Sequence, residues 1–322
     1  MSNEFPSPDA NADVASPRTQ LAAARTLGEA LRLAALWLRA SGSDTPALDA
    51  QTLLAHITGL GRATLLAYPE RALDAARAEE FAGLVARRAA HEPVAYLTGQ
   101  REFMGLLFKT DARALIPRPE TELLVEAALR EARARLERDP ERPPIIADIG
   151  TGSGAIAIAL AALEPRLPRI YAVDIAPGAL ALAGENATAL GVSARVVRLE
   201  GDLLAPLPEP VDLIIANLPY IAPRDAQVAA SVHGYEPHVA LYSPERGLAH
   251  IRRLLERAPA ALAPGGVIFL EYGYDQRAAV EALARRAFPA ATLRAGADYT
   301  GFDRTLAILP AAGAESETDR QR

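Results

Sequence analysis

The stretch that decides the fold is Asp148-Ile-Gly-Thr-Gly-Ser-Gly154. It stands between the apolar segment Pro144–Asp148, which predicts a strand, and the apolar run 155–163, which predicts a helix. Glycines at such a junction let the backbone approach a ligand closely, and the start of the helix offers free N–H groups. On this stretch alone two alternatives stay open: a plain glycine turn or, with Ala155 as the third small residue, a nicotinamide-binding loop.

Beyond the glycine stretch, apolar strands alternate with helices. This alternation is typical of a parallel sheet that helices cover on both faces. We therefore predict an α/β domain with a mostly parallel seven-stranded sheet. Its last two strands lie close together in sequence, so they are expected to form an antiparallel pair at one edge. The strands after the glycine stretch are predicted at 170–174, 195–199, 211–216, 267–271, 292–294 and 305–309, with a helix at 177–190.

Composition and periodicity divide the chain into five segments. We expect a disordered tail over 1–18, a helical domain over 19–97, a hairpin linker over 98–118, the sheet domain over 119–310 and a second disordered tail over 311–322. In the helical domain, Thr26-Leu-Gly-Glu29 has the spacing of a capping box and Thr45-Pro46 is typical of a helix start. Three or four short helices without chemical motifs favour a substrate-recognition or accessory role.

The overall composition excludes several kinds of chemistry. The chain has 322 residues, no cysteine and a formal net charge of −6. Without cysteine there are no disulfides, iron–sulfur clusters, cysteine-bound zinc ions or thiol nucleophiles. The negative charge is unfavourable for nucleic-acid binding, which clustered Lys and Arg drive. Apolar runs are too short to span a bilayer and no signal peptide is recognisable, so we expect a soluble, cytoplasmic protein.

Two acidic residues close neighbouring strands. Asp174 ends the strand 170–174, where a carboxylate can accept hydrogen bonds from both hydroxyls of a ribose. Capping of the next helix is the alternative, because Pro177 follows. Asp202 closes the third strand in Glu200-Gly-Asp-Leu203, where it can accept a hydrogen bond from an adenine amino group or cap a turn.

The tetrapeptide Asn217-Leu-Pro-Tyr220 directly follows the buried strand 211–216. It places an amide, two carbonyls and an aromatic ring in the crevice where ligands of open α/β sheets bind. Such a group suits methyl transfer to a planar nitrogen, whose lone pair is delocalised. Asn217 and the Leu218 carbonyl can accept its two N–H hydrogens, and Tyr220 can pack on its planar face, so that the nitrogen is aimed at an electrophilic methyl. A tight turn is the alternative.

Together these motifs resemble the bacterial HemK/PrmC family, which methylates the glutamine of the Gly-Gly-Gln motif of peptide chain release factors at N5, using S-adenosylmethionine. The resemblance covers nearly everything between the two tails. Besides the glycine stretch it runs in order through Tyr96-Leu-Thr-Gly, Arg101-Glu-Phe, Leu115-Ile-Pro-Arg-Pro-Glu-Thr-Glu122, Asn217-Leu-Pro-Tyr-Ile221, Tyr235-Glu-Pro and Asp298…Gly301…Arg304.

The resemblance implies a class I methyltransferase fold and a helical domain that contacts the release factor. We also expect a monomer that binds no nucleic acid directly. The resemblance also implies that Asn217 and Tyr220 are catalytic and that Asn217, Leu218, Pro219 and Tyr220 hold the glutamine amide. The cofactor-binding residues implied are Gly150, Thr151, Gly152, Ser153 and Gly154 at its methionine and ribose, Asp174 at the ribose hydroxyls, Asp202 and Leu203 near adenine, and Asn217.

One departure keeps an alternative open. The family's usual tetrapeptide has proline where this chain has Leu218, and Asn-Leu-Pro-Tyr also resembles ribosomal RNA adenine dimethyltransferases. An adenine-N6 methyltransferase acting on RNA or DNA is therefore the alternative function, and a nucleotide-binding oxidoreductase is the third. The helical domain, the Arg118–Glu122 segment and the net charge disfavour the nucleic-acid enzyme.

Two other features receive smaller roles. His233 and His238 flank Glu236, but we predict no metal site there. Glu271, at the end of a strand, is expected to be a hydrogen-bonding residue near the site.

Overall fold

The structure is a computed structural model that describes residues 16–223, 225 and 229–311. Most of the two expected tails lies outside these residues. The predicted disordered tail over 1–18 is wrong at its last residues, because helix α1 (Pro17–Ala22) begins at Pro17. Ser16 caps this helix by accepting a hydrogen bond from the Thr19 N–H at 3.2 Å. The chain divides into two compact units, Met1–Thr98 and Gly99–Arg322.

The first unit is helical. Besides α1 its described residues form five helices, where three or four were predicted in all. The unpredicted ones have five or six residues, too few to show a periodic apolar pattern. The helices after α1 are α2 (Leu27–Ala40), α3 (Pro46–Thr58), α4 (Arg62–Ala67), α5 (Ala75–Ala89) and α6 (Val94–Thr98).

The predicted helix starts and stops have clear physical causes. Thr26 caps α2 by accepting a hydrogen bond from the Glu29 N–H at 3.3 Å. The Glu29 carboxylate reaches one residue further back than in a standard capping box and accepts from the Arg25 N–H at 2.9 Å. At the far end of α3, Gly59 adopts a left-handed conformation that ends the helix.

A buried ion pair joins two helices of this unit. Asp49 of α3 accepts hydrogen bonds from the Arg88 guanidinium of α5 at 2.8 Å and from the hydroxyl of Ser43, also at 2.8 Å. Both charged side chains are largely shielded, with 8% of Asp49 and 15% of Arg88 exposed. Removal of one partner would leave the other charge unpaired in the interior.

The second unit begins with a hairpin, inside the segment expected as a linker. Strands β1 (Gln100–Phe103) and β2 (Leu106–Lys109) pair antiparallel, and Gly105 turns the chain between them with φ near +74°. Phe103 and Phe108 are buried in the same apolar cluster as the following helix. The hairpin is thus packed into the second unit by its own aromatic side chains.

The remaining elements form a mixed sheet with helices on both faces. Its helices are α7 (Pro119–Arg138), α8 (Ala155–Leu163), α9 (Pro177–Ala189), α10 (Ala230–Tyr235), α11 (His238–Leu241), α12 (Ala249–Ala261) and α13 (Arg277–Ala287). Its strands are β3 (Ile146–Ile149), β4 (Ile170–Asp174), β5 (Val196–Glu200), β6 (Val211–Ala216), β7 (Leu262–Glu271), β8 (Thr292–Ala297) and β9 (Asp303–Leu309).

The sheet has the order β5-β4-β3-β6-β7-β9-β8. Strands β3 to β7 run parallel, whereas β9 is antiparallel to both β7 and β8. This confirms the predicted seven-stranded, mostly parallel sheet and its antiparallel edge pair. The chain moves outward from β3 to β5 and then returns to place β6 on the other side of β3. The carboxyl ends of β3 and β6 therefore border the crevice in which open α/β sheets bind ligands.

Alternating side chains supply a core on each face of the sheet. In β6, Leu213 and Ile215 pack into the cluster that contains Leu124 of α7, and Ile214 packs into the cluster that contains Leu254 of α12. All residues of β3 and β6 are buried, as expected for central parallel strands. None of the described helices is long and apolar enough to span a membrane.

The Asp49–Arg88 pair yields a stability prediction. Asp49→Ala should lower the free energy of unfolding of the first unit by about 3–5 kcal/mol, because Arg88 is left buried and unpaired. Urea denaturation followed by the fluorescence of Trp37 reports on this unit, because the chain's single tryptophan lies in α2. Glu79→Ala is the matched control, because it removes an exposed partner of Arg18 and should cost less than about 1 kcal/mol. Equal losses in the two variants would contradict the prediction.

Candidate active site

The glycine stretch forms a tight loop between β3 and α8. Gly150, Gly152 and Gly154 all have positive φ, at 75°, 56° and 82°, a region that favours glycine. The N–H groups of Gly150 and Thr151 both donate to the Val173 carbonyl of β4 at 2.9 Å. These bonds hold the loop against the end of the neighbouring strand.

Close packing adds a second requirement for glycine. A Cβ atom at Gly154 would lie 3.0 Å from the Cβ of Ala183 and 2.6 Å from the Cδ1 of Ile158. At Gly150 it would lie 3.0 Å from the Leu218 side chain. Leu218 thus packs directly over the glycine loop, and its side chain is only 4% exposed.

Asp148 supports the loop from beneath. It is fully buried, and its Oδ2 accepts hydrogen bonds from the Thr151 hydroxyl at 2.6 Å and the Ala157 N–H at 3.1 Å. Its Oδ1 is buried without a hydrogen-bond partner among the described residues. Burial raises the pKa of Asp148 to about 7, although the bonds from Thr151 and Ala157 oppose the rise.

Asp174 lies beside the loop at the end of β4. Its Oδ2 accepts a hydrogen bond from the Gly152 N–H at 2.8 Å, and its Oδ1 accepts one from the Ala176 N–H at 2.9 Å. The carboxylate therefore stabilises the turn before α9, but the predicted alternative of helix capping is wrong, because Ala176 is the N-cap residue and no side chain caps this helix. It also borders the same cavity as the glycine loop, so the ribose-binding interpretation stays a prediction.

Asp202 and Leu203 follow β5. The Asp202 carboxylate accepts a hydrogen bond from Arg253, and Arg257 approaches it at 3.4 Å. Leu203 has a positive φ of 53°, which is uncommon outside glycine. Both residues line the cavity together with His250. The carboxylate is thus engaged by arginines, and adenine recognition by it remains a prediction.

The side chains of Asn217 and Tyr220 belong to one network of hydrogen bonds. The Asn217 Nδ2 donates to the Thr121 Oγ1 at 2.9 Å, and the Thr121 hydroxyl donates to the Glu271 Oε2 at 2.7 Å. Tyr220 donates its hydroxyl to the other Glu271 oxygen at 3.2 Å. Glu271 is therefore a hydrogen-bonding residue behind Asn217, and three elements distant in sequence meet here.

A single cavity of the second unit collects most of the predicted site. It is lined by Gly150, Thr151, Gly152, Ser153, Asp174, Asp202, Leu203, Asn217, Leu218 and Pro219. Gly154 and Tyr220 are not among its lining residues. Gly154 instead makes room for α9, and the Tyr220 hydroxyl is turned toward Glu271. Burial raises the pKa of this tyrosine above its usual value, as does the nearby Glu271 carboxyl.

Another wall of the cavity is formed by residues 114–118 together with residues 237, 239 and 240. A hydrogen-bonded ion pair fastens these segments together. Glu236, 3% exposed, accepts bonds from the Arg118 guanidinium and, at 3.1 Å, from the Ile116 N–H. Both charged residues belong to motifs of the sequence, but their pairing was not predicted, because 118 positions separate them.

Asn186 of α9 is a further residue at the site that was not predicted from the sequence. Its Nδ2 donates to the Ser153 carbonyl of the glycine loop at 2.9 Å, and its Oδ1 accepts from the Lys109 N–H at 2.8 Å. The side chain is almost fully buried. It therefore ties the hairpin strand β2 to the loop, and no local pattern in the sequence identifies it.

The described residues contain no group of three or more His, Asp or Glu side chains that could hold a metal ion. The rings of His233 and His238 stack with centroids 5.0 Å apart. His233 also contacts the Tyr242 hydroxyl through its Nδ1 at 2.7 Å. The two histidines thus serve local packing and hydrogen bonding.

Comparison with known proteins matches both units. Residues 29–99 match the model of the PrmC N-terminal domain, and residues 131–222 match that of the ribosomal protein L11 methyltransferase (PrmA). A methyltransferase structure from Pyrococcus furiosus aligns with 70% of this chain and 96% of its own at a TM-score of 0.45 and 18% identity.

The match to a methyltransferase model over residues 131–222, which include the glycine loop, assigns the second unit to the methyltransferases. A release factor glutamine methyltransferase from Moorella thermoacetica is 44% identical over 87% of this chain and 95% of its own length. The enzyme of that name from Cereibacter sphaeroides is 42% identical over 88% of this chain and 99% of its own length. The enzyme of that name from Escherichia coli is 40% identical over 76% of this chain and 87% of its own length. This chain belongs to the release factor glutamine methyltransferase family.

Gly154 gives a direct test of the loop geometry. Gly154→Ala should destabilise the second unit by about 1–3 kcal/mol more than Gly191→Ala, because it adds a steric clash with Ala183 to the cost of a positive φ. Gly191 is the matched control, with a φ of 71° and open space around the Cβ position. Urea denaturation followed by circular dichroism gives both values. Losses of the same size would show that packing against α9 does not require glycine.

Proposed function

We propose that this chain transfers the methyl group of S-adenosylmethionine to N5, the side-chain amide nitrogen, of the glutamine in the Gly-Gly-Gln motif of peptide chain release factors. Membership of the family supports the reaction and the protein substrate. The observation that carries the assignment is the shared cavity, where Asn217 and Leu218 adjoin the glycine loop. Because these relatives are named for release factor glutamine, they favour neither methylation of adenine nor a nucleotide-binding oxidoreductase.

The glycine loop and its surroundings fit the proposed cofactor. Three positive-φ glycines keep side chains off the backbone at Gly150, Gly152 and Gly154, and the Asp174 carboxylate borders the cavity beside them. We assign Gly150–Ser153 to its methionine and ribose, Asp174 to the ribose hydroxyls and Asp202 with Leu203 to the adenine end. When bound, S-adenosylmethionine supplies an electrophilic methyl group on a sulfonium centre.

The amide-binding side of the cavity activates the acceptor by positioning. A glutamine amide nitrogen is a poor nucleophile because its lone pair is delocalised into the carbonyl. The Asn217 oxygen and the Leu218 carbonyl oxygen are assigned to accept its two N–H hydrogens, which orients the nitrogen for direct displacement. We assign Tyr220 a supporting role in this arrangement, because its hydroxyl donates a hydrogen bond to Glu271. The leaving proton can pass to solvent, so no general base is assigned.

The proposal extends to the partner. We assign recognition of the release factor to the helical first unit, which matches the PrmC N-terminal domain and carries no chemical motif. The formal net charge of −6 supports a protein substrate over a nucleic acid. We propose that the enzyme acts on release factors in the cytoplasm, as a monomer.

Asn217→Ala should abolish turnover and leave cofactor binding within a few-fold of wild type. The substitution removes the acceptor of a substrate N–H but leaves the glycine loop intact. Purified release factor is incubated with isotope-labelled S-adenosylmethionine, and mass spectrometry maps the modified residue. Calorimetric titration with S-adenosylhomocysteine checks that the variant is folded.

Wild-type enzyme should label one glutamine, in the Gly-Gly-Gln motif. Label on another residue or only on added RNA would overturn the proposed function. Undiminished labelling by Asn217→Ala would instead overturn the role assigned to Asn217.

A further inference from the structure

The side chains behind Asn217 form a directed row of hydrogen bonds. The row runs from Asn217 to Thr121 in the first turn of α7, and from Thr121 to Glu271 at the end of β7. Thr121 and Glu271 are 4% and 1% exposed, so water does not compete for these bonds. Thr121 has no role in the function proposed above, and Glu271 enters it only as the partner of the Tyr220 hydroxyl.

The chemistry of the row fixes its direction. An ionised carboxylate can only accept hydrogen bonds, so the Thr121 hydroxyl must donate its single hydrogen to Glu271. The Thr121 oxygen can then only accept from Asn217, so the amide nitrogen faces Thr121. Because an amide is planar, the Asn217 oxygen then lies on the opposite branch and is the atom available to accept from a ligand. A flipped amide would place two acceptor oxygens against each other at the observed 2.9 Å.

The orientation of Asn217 decides what the cavity can bind. With its oxygen presented, the site accepts N–H donors and repels oxygen acceptors. With its nitrogen presented, the site would favour a carboxylate oxygen. Glutamine and glutamate side chains have nearly the same size and shape, so shape alone cannot separate them. A site that hydrogen-bonds an N–H strongly rejects the analogue that lacks it.

We propose that Thr121 and Glu271 are positioning residues that set the specificity of this enzyme for an uncharged primary amide over a carboxylate, by holding the Asn217 side chain in one orientation. The inference rests on the proposed function and deepens it. Thr121 and Glu271 are separated by 150 positions in the chain. The discrimination is therefore a property of the folded sheet and not of the Asn-Leu-Pro-Tyr segment alone.

The row should respond to pH. Burial raises the pKa of Glu271 to about 7, while bonds from Thr121 and Tyr220 and the charge of Arg304 oppose the rise and Glu120 adds to it. Above this pKa the carboxylate enforces the direction of the row. Below it, a protonated Glu271 can donate to Thr121, which can then donate to the Asn217 oxygen and allow the flipped amide. Discrimination should therefore be strongest above about pH 7 and fall as the pH is lowered.

The test compares two release factors that differ only in having glutamine or glutamate in the Gly-Gly-Gln motif. The first is the substrate, and the second is measured as a competitive inhibitor. The readout is the ratio of the inhibition constant for the glutamate protein to the KM for the glutamine protein. Glutamate stays ionised between pH 6 and 8, so the ratio reports the enzyme.

Thr121→Val removes the hydroxyl at nearly constant shape. It should lower this ratio about tenfold at pH 8, which is the effect of one misdirected hydrogen bond. The kcat should also be lower. Thr121→Ser keeps the hydroxyl and should restore the ratio. Glu271→Gln should give a reduced ratio that no longer changes between pH 6 and 8. Binding of S-adenosylhomocysteine confirms that each variant is folded.

An unchanged ratio in folded Thr121→Val, with wild-type turnover intact, would overturn the inference and leave the proposed function standing. If the valine variant does not fold, Glu271→Gln decides, because an unchanged ratio at pH 8 in that folded variant would also overturn it. A wild-type enzyme that fails to methylate the glutamine protein would contradict the proposed function, and the inference with it.

Discussion

Parallel pairing of β3 with β6 is the constraint on which the site depends. The register places Ile149 beside Ala216, so the glycine loop and Asn217 leave the sheet at adjacent points. Both strands are buried along their whole length, so packing on both faces of the sheet fixes the positions of their carboxyl ends. Leu218 then packs over Gly150, because a Cβ atom added to Gly150 would lie 3.0 Å from the Leu218 side chain. The two halves of the cavity are thus positioned by one pair of hydrogen-bonded strands.

Buried carboxyl groups hold the loops that leave this edge, and they do so at a cost in stability. Burial raises the pKa of both Asp148 and Glu271 to about 7. The folded chain therefore holds these protons more tightly than the unfolded chain. Their contribution to stability is greatest below the ordinary carboxyl pKa and is lost as the pH rises toward 7. In return, Asp148 orders the glycine loop and Glu271 directs the hydrogen bonds behind Asn217, a trade of stability for function.

Local patterns allowed much of the fold to be predicted. The run of glycines after a buried strand, the apolar strands and the closeness of the last two strands identified the sheet and its antiparallel edge. The short helices α1, α4 and α6 were missed because one or two turns show no periodicity. The cavity brings together Asp174, Asn217 and most of the glycine loop, as their positions at strand ends predicted. Pairings such as Arg118–Glu236 and Thr121–Glu271 could not be predicted, because only the folded sheet brings these residues together.

The most direct test of this account is a crystal structure with S-adenosylhomocysteine and a peptide containing Gly-Gly-Gln. It should place the homocysteine sulfur against Gly150–Ser153 and the glutamine amide nitrogen about 3 Å from the Asn217 Oδ1 and the Leu218 carbonyl oxygen. A glutamine side chain bound outside this cavity, or an Asn217 whose nitrogen faces the substrate amide, would contradict it.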